Sequence, residues 1–289
     1  MAEAQAVATV RPSVVAGTAG AVLASLAALC VVGPWLAAAL GIDGTSVDLF
    51  NRLAPPNGAH WLGTDELGRD YLVRVLEGGR VSLVVGLAGA LTAAVIGALI
   101  GIVSGYAGGR VDAALMRLTD AVIALPLLPL LLIVAAVDLS AWGVRASGVN
   151  DVLRIVVIVA LFGWPTVARV TRSAVLSVRR RTYVLAAEAL GAPAPHVLRR
   201  HVLPNVAGPI LVAATLGIGN VILAESVLSF LGLGVQPPTA SWGNLLTDAQ
   251  TTLVHAPRLA LVPGALIFTA VLAFNVLGDG LQGMLDRRR

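Results

Sequence analysis

The 289-residue sequence contains no lysine; all 20 basic side chains are arginine. A chain without lysine cannot form a Schiff base, and it cannot hold nucleotide phosphates with a loop that ends in Gly-Lys-Ser/Thr. The single cysteine, Cys30, lies inside an apolar run, which excludes an internal disulfide framework and a cysteine-based metal site. No HExxH, CxxC or Gly-x-Ser-x-Gly string occurs, and His60, His196, His201 and His255 are scattered, so neither a catalytic nor a metal centre is expected. Charge is scarce: 12% of the residues are charged against 57% hydrophobic, and the mean hydropathy is +0.87. This is far too apolar for an ordinary soluble domain. The pI near 10.2 would suit nucleic acid, but the arginines sit beside apolar segments rather than along one polar face. They read as topological anchors, and no nucleic-acid partner is expected.

A helix needs about 20 apolar residues to cross a bilayer. Six stretches meet or approach that length: Val14–Leu40, Val81–Tyr106, Ala113–Val137, Val152–Ala168, Val206–Leu231 and Leu259–Leu281. The chain is therefore expected to be an all-α polytopic membrane protein with six transmembrane helices. Its first part, residues 1–80, comprises an N-terminal cytoplasmic segment, the first span and an outer loop. Residues 81–289 form a core of five spans. The first run is too long for the central region of a secretory signal, which is about 7–15 residues, so it is expected to be retained. Arginines in short loops stay on the cytoplasmic side. With both termini inside, Arg11, Arg110, Arg117, Arg169, Arg172, the Arg179–Arg181 run, Arg199, Arg200 and the three C-terminal arginines fall in or beside inner segments. The outer side then carries arginines such as Arg145 that are balanced by acids such as Asp138.

Three connections are too long to be turns: 41–80 outside, 169–205 inside and 232–258 outside. In the inner one, Thr182–Leu190 is good helix material, Gly191 can stop it, and Pro193 and Pro195 prevent immediate resumption. A short helix, a break and a second short helix reaching Pro204 are expected. Ala186, Ala187, Ala189 and Gly191 have so little bulk that another protein's surface can approach the backbone closely. An exposed Ala-rich linker is the plain alternative.

The string YVLAAEALG followed by RRHVLPN resembles the cytoplasmic loop of bacterial ABC importer permeases, with pattern Glu-Ala-Ala, three residues, Gly, nine residues, an apolar residue, any residue, Leu-Pro. Here Ala186, Ala187, Gly191, Leu203 and Pro204 match. Leu185 replaces the usual Glu, with Glu188 one turn later, and His201 fills the apolar position. His60–Gly86 and Glu225–Leu246 resemble signatures of the second permease of dipeptide, oligopeptide and nickel importers. The resemblance implies a type I ABC importer permease fold in the cytoplasmic (inner) membrane, translocating di- or oligopeptides by alternating access. Tyr183, Ala186, Ala187, Glu188, Gly191, Leu203 and Pro204 would couple it to the ATPase. It also implies a second permease, two ATPase subunits that bind ATP and Mg, and an extracytoplasmic solute-binding protein, with no cofactor and no catalysis on this chain. Nickel or another small solute is the alternative substrate; a secondary transporter is the alternative class, but inverted halves with interrupted helices are not evident.

Charges at membrane depth are costly and face protein or water. Asp120 and Glu225 are candidates for lining or gating a path, with interfacial placement or helix-to-helix hydrogen bonding as the plainer reading. The outer GTDELGRD segment reads as a structural brace rather than a solvated loop. Trp242, beside Gln236-Pro237-Pro238, reads either as an interfacial anchor or as part of a closing outer mouth. Gly208, Gly217 and Gly219 are expected to allow close helix packing, and Trp164-Pro165 to kink the fourth span.

Overall fold

The computed structural model describes residues 12–137 and 148–286. Asp138, Arg145, Arg11 and the C-terminal arginines, on which part of the orientation argument rests, lie outside them. The helices are α1 (Pro12–Ala39), α2 (Tyr71–Ala107), α3 (Gly109–Ala124), α4 (Leu127–Ala135), α5 (Gly148–Arg179), α6 (Thr182–Ala189), α7 (Ala194–Val197), α8 (Leu203–Phe230), α9 (Trp242–Ala249) and α10 (Arg258–Asp286). No β-strand occurs among the described residues. α1, α2, α5, α8 and α10 are each long and apolar enough to cross a membrane, and α3 with α4 makes a sixth span if the two count as one.

That sixth span departs from the single helix expected over Ala113–Val137, because α3 and the second half of the pair are bent by 88°. The break falls at Leu125, which is extended (φ −74°, ψ 135°), immediately before Pro126. Proline crowds the preceding residue out of the helical region and brings no N–H, so the helix stops there. After the break, Arg154 of α5 donates to the carbonyls of Ala135 and Val137 and satisfies the end of α4.

α2 begins at Tyr71, ten residues before the expected Val81. Asp70 caps it, accepting from the Val73 N–H at 3.1 Å. Arg74 and Glu77 made this stretch look like loop, yet Arg74 is 3% exposed and donates to the Pro238 carbonyl at 2.8 Å. At 37 residues, α2 is about 55 Å long and extends past a hydrocarbon layer of about 30 Å. α5 is likewise longer than expected, running unbroken through Pro165 to Arg179, so the connection that follows begins at residue 180.

α2 and α5 pack along a glycine stripe. A methyl group on Gly97 would lie 2.5 Å from the Trp164 carbonyl, one on Gly101 2.5 Å from that of Ala168, and one on Gly105 2.8 Å from Val175 Cβ. With no side chain at every fourth residue the backbones approach to contact, as small-residue faces do in membranes. The central core joins α1, α2, α8, α9 and α10 through Leu26, Cys30, Val85, Ile222, Trp242 and Ala270.

Candidate functional site

The end of the bundle reached by α2, α5 and α8 carries the short helices. α6 is fixed there by Val184, wholly buried with Val175, Val178, Val197, Val202 and Val206. It stops as its sequence predicts. Gly191 has φ +84°, its N–H bonds the Glu188 carbonyl, and the Ala192 N–H bonds the Ala187 carbonyl, both within 3.1 Å. This is a Schellman stop, which needs a residue that tolerates the left-handed region. The second short helix does not end at Pro204. It passes through one π turn, Leu198–Val202, in which the Leu203 N–H reaches the Leu198 carbonyl, and continues into α8. Pro204 can donate no hydrogen bond and would clash with the carbonyl four residues back, and the wider turn relieves that clash.

The predicted loop residues therefore separate into two groups. Ala186, Gly191, Leu203 and Pro204 are exposed, Tyr183 is 42% exposed, and Ala187 is half-buried. Leu185 and Leu190 are large apolar side chains left 51% and 89% exposed beside them. Glu188 instead turns back to the bundle and accepts from the Tyr106 hydroxyl at 3.2 Å. Arg179 donates to the Tyr106 carbonyl at 2.8 Å and lies over its ring, 5.2 Å from the centroid. Tyr183 and His196 both pack against His201, with centroids 5.9 and 6.2 Å away. Sequence reasoning missed the Tyr106 and Arg179 contacts, which join residues far apart in the chain.

Asp120 sits on α3, exposed, in an ion pair with Arg169 of α5. One turn further along α5, Arg172 grips Asp112 with Nε and Nη2, each at 2.5 Å, and the Ser104 hydroxyl also donates to Asp112. Two acid–arginine pairs thus tie α3 to α5. Glu225 is enclosed instead: 0% exposed, it accepts from Ser82 of α2 at 2.9 Å and from Ser229 at 2.7 Å. Ser82 also receives the Trp242 N–H at 3.2 Å, and the Trp242 indole donates to the Val75 carbonyl at 3.0 Å. Trp242 is wholly buried rather than interfacial, because Gly79 offers it a flat face on which a methyl would lie 2.6 Å from Cζ2.

At the end of the bundle opposite α6, residues 41–70 and 231–257 fold over the helices as a cap. The GTDELGRD segment is built into it: Thr64, Asp65 and Asp70 are nearly inaccessible, and Asp65 holds the Leu67 and Arg69 N–H groups and the Arg69 guanidinium. Arg258 at the start of α10 donates to the carbonyls of Leu53, Ala54 and Leu62. Burial, reinforced by the nearby Glu66, raises the Asp248 carboxyl above its ordinary range. Thr251 ties the two halves of the cap by donating to Glu66 at 2.6 Å.

Between the cap and the α6 end, α2, α4, α5, α8 and α10 line a half-open cavity of about 960 Å³. Among the described residues its walls are apolar apart from Thr166, Asn220 and Gln282, with no acid, arginine or histidine contributing. Glu225 lies off this wall although its neighbours Leu223, Ala224 and Val227 are on it. Of the glycines expected to pack closely, Gly208 meets Leu285 and Gly219 meets Val271, whereas Gly217 opens onto the cavity.

A family model described as the binding-protein-dependent transport system inner membrane component matches residues 97–289. The chain belongs to that family. The dipeptide transport system permease protein DppC of Bacillus subtilis (strain 168) is 40% identical to this permease over 267 residues, covering 92% of this chain and 79% of the relative. The oligopeptide transport system permease protein OppC of the same strain is 38% identical over 244 residues, covering 84% and 77%. The glutathione transport system permease protein GsiD of Pectobacterium atrosepticum is 38% identical over 259 residues, covering 89% and 83%. This permease therefore stands with the ABC importer permeases of the peptide group. Among solved structures, an amino acid ABC transporter crystallised with histidines matches with a TM-score of 0.56 at 17% identity, over 76% of this chain and 95% of that one, and supports the fold.

Proposed function

We propose that this permease forms half of a transmembrane path for di- or oligopeptides, opened alternately to each side by separate ATPase subunits. The observation that carries the reading is α6. It is fixed to the bundle by the buried Val184, yet presents the small Ala186 face and the exposed Leu185 and Leu190 to whatever lies beyond the chain. A short helix gripped on one side and bare on the other transmits movement of a docked partner to α5 and α8 as a rigid lever. The partner is an ATP-hydrolysing subunit, which binds ATP and Mg, and this chain does no chemistry of its own. A second, related permease completes the path, and an extracytoplasmic binding protein delivers the peptide. The arginine distribution supports an orientation in the inner membrane with both termini, α6 and α7 in the cytoplasm and the cap outside. The test is co-expression with the candidate partners, co-purification of the ATPase, and ATP-dependent peptide uptake in proteoliposomes. Uptake that survives removal of the ATPase would overturn the reading and favour a secondary transporter.

A further inference from the structure

The cavity wall carries two polar groups deep within spans, Thr166 on α5 and Asn220 on α8. Asn220 lies on α8 about 25 Å along the helix from Leu203 and about 15 Å from Phe230. This depth is well inside a hydrocarbon layer about 30 Å thick. It is exposed in this chain, faces the cavity, and makes no hydrogen bond to any described residue. A carboxamide carries two donors and an acceptor, and leaving them unpaired in an apolar setting is expensive. The surrounding wall offers them nothing: Val159 and Phe162 of α5, and Leu216, Val221 and Ala224 of α8, are apolar. Of the other two polar residues, Thr166 has a single hydroxyl, which can turn to a carbonyl of the preceding turn of its own helix, and Gln282 lies in the last turns of α10.

We propose that Asn220 is a specificity-determining contact of the translocation path, where its carboxamide pairs with the backbone amides of a passing peptide while the uncharged apolar wall accommodates the side chains. The proposal rests on the peptide-permease reading and adds the residue and the mode of recognition. A peptide bond carries one donor and one acceptor, which an amide can match at once. Such pairing is indifferent to the peptide's side chains, and this half of the path imposes no charge preference.

The test uses the assembled importer in proteoliposomes with three tripeptides, Ala-Ala-Ala, Ala-Lys-Ala and Ala-Glu-Ala, scoring each variant relative to wild type so that the binding protein's own preferences cancel. Asn220→Asp puts a carboxylate where the peptide passes, and uptake of Ala-Lys-Ala relative to Ala-Glu-Ala should rise about tenfold. An unchanged ratio in an assembled, ATP-hydrolysing complex would overturn the proposal. Should the charge prevent insertion, Asn220→Cys in a Cys30→Ser background decides instead. An aqueous methanethiosulfonate reagent should modify it, and saturating Ala-Ala-Ala with the binding protein should slow the modification several-fold. No modification, or none that the peptide slows, would place Asn220 against lipid or the second permease and refute the contact. A wild-type complex that imports no peptide would instead sink the peptide reading, and the accessibility of residue 220 would then be judged by the labelling alone.

Discussion

Ser82 and Ser229 each turn a hydroxyl toward Glu225, and Ser82 in turn receives the Trp242 backbone N–H. Three helices are therefore held by one carboxyl group from which water is excluded. Removing a buried acceptor strands its donors, at a cost of about 1–3 kcal/mol. Glu225→Ala should lower the thermal unfolding midpoint of the purified importer clearly, while Glu225→Gln, which keeps one acceptor oxygen at the same reach, should lower it much less. Equal losses would mean that the shape of the acceptor does not matter and that the hydroxyl pairs contribute little. The sequence marked Glu225 as a group requiring explanation, because a charge in an apolar span is rare. It could not reveal that the carboxyl is enclosed, since Ser82 lies 143 positions away. Gly191 was fully legible, because a good helix former followed by Gly and then Pro has one common solution.

At the scale of helices, apolar run length located the spans but misplaced their ends wherever charges were sequestered. Arg74 and Arg258 look like loop residues in the sequence, yet both are buried or half-buried and donate to backbone carbonyls of the cap, although Arg74 Nε finds no partner among the described residues, so α2 starts earlier than hydropathy indicates. The break at Pro126 was likewise present in the sequence, but it was hidden within a continuous apolar run. The glycine stripe of α2 was also legible at a spacing of four, like the glycines of α8. Its energetic role can be tested directly. A side chain at residue 101 would collide with the Ala168 carbonyl and Thr171 Cβ, which are backbone and β-branched atoms that cannot move aside cheaply. Gly101→Ala should destabilise the importer by about 1–3 kcal/mol, and Gly101→Val should reduce its yield in the membrane severely. Gly217→Ala, where a methyl group meets only Ala90 Cβ at 3.7 Å, is the matched control and should be tolerated. Thermal stability measured in one detergent compares all three, and equal behaviour at residues 101 and 217 would show that the α2–α5 contact is not as close as described.

For the molecule as a whole, a bundle carries a folded cap at one end and a short helix at the other, and α6 packs through an inner face while its outer face meets nothing among the described residues. The sequence motif indicated this open face through residue size, and the structure adds the mechanical link. Glu188 bonds Tyr106 at the end of α2, Arg179 at the end of α5 grips the same tyrosine, and α7 continues through the π turn into α8. Force applied to α6 thus reaches three spans. Ala186→Arg adds bulk and charge to the exposed face without touching the buried Val184 or the Schellman stop, so insertion and folding should be unchanged, free of the roughly 2.5–3.5 kcal/mol that a charge at the bilayer centre incurs. Docking should fail. The expected result is loss of ATPase co-purification and of peptide uptake by about tenfold or more, with normal amounts of permease in the membrane. Leu185→Glu, which puts the glutamate usual in the family's loop pattern back on the same face, should be tolerated and separates a specific steric block from general sensitivity of the loop. Normal ATPase retention and uptake in Ala186→Arg would mean that α6 is not the surface through which ATP hydrolysis acts, and the lever from α6 to α2, α5 and α8 would have no driver.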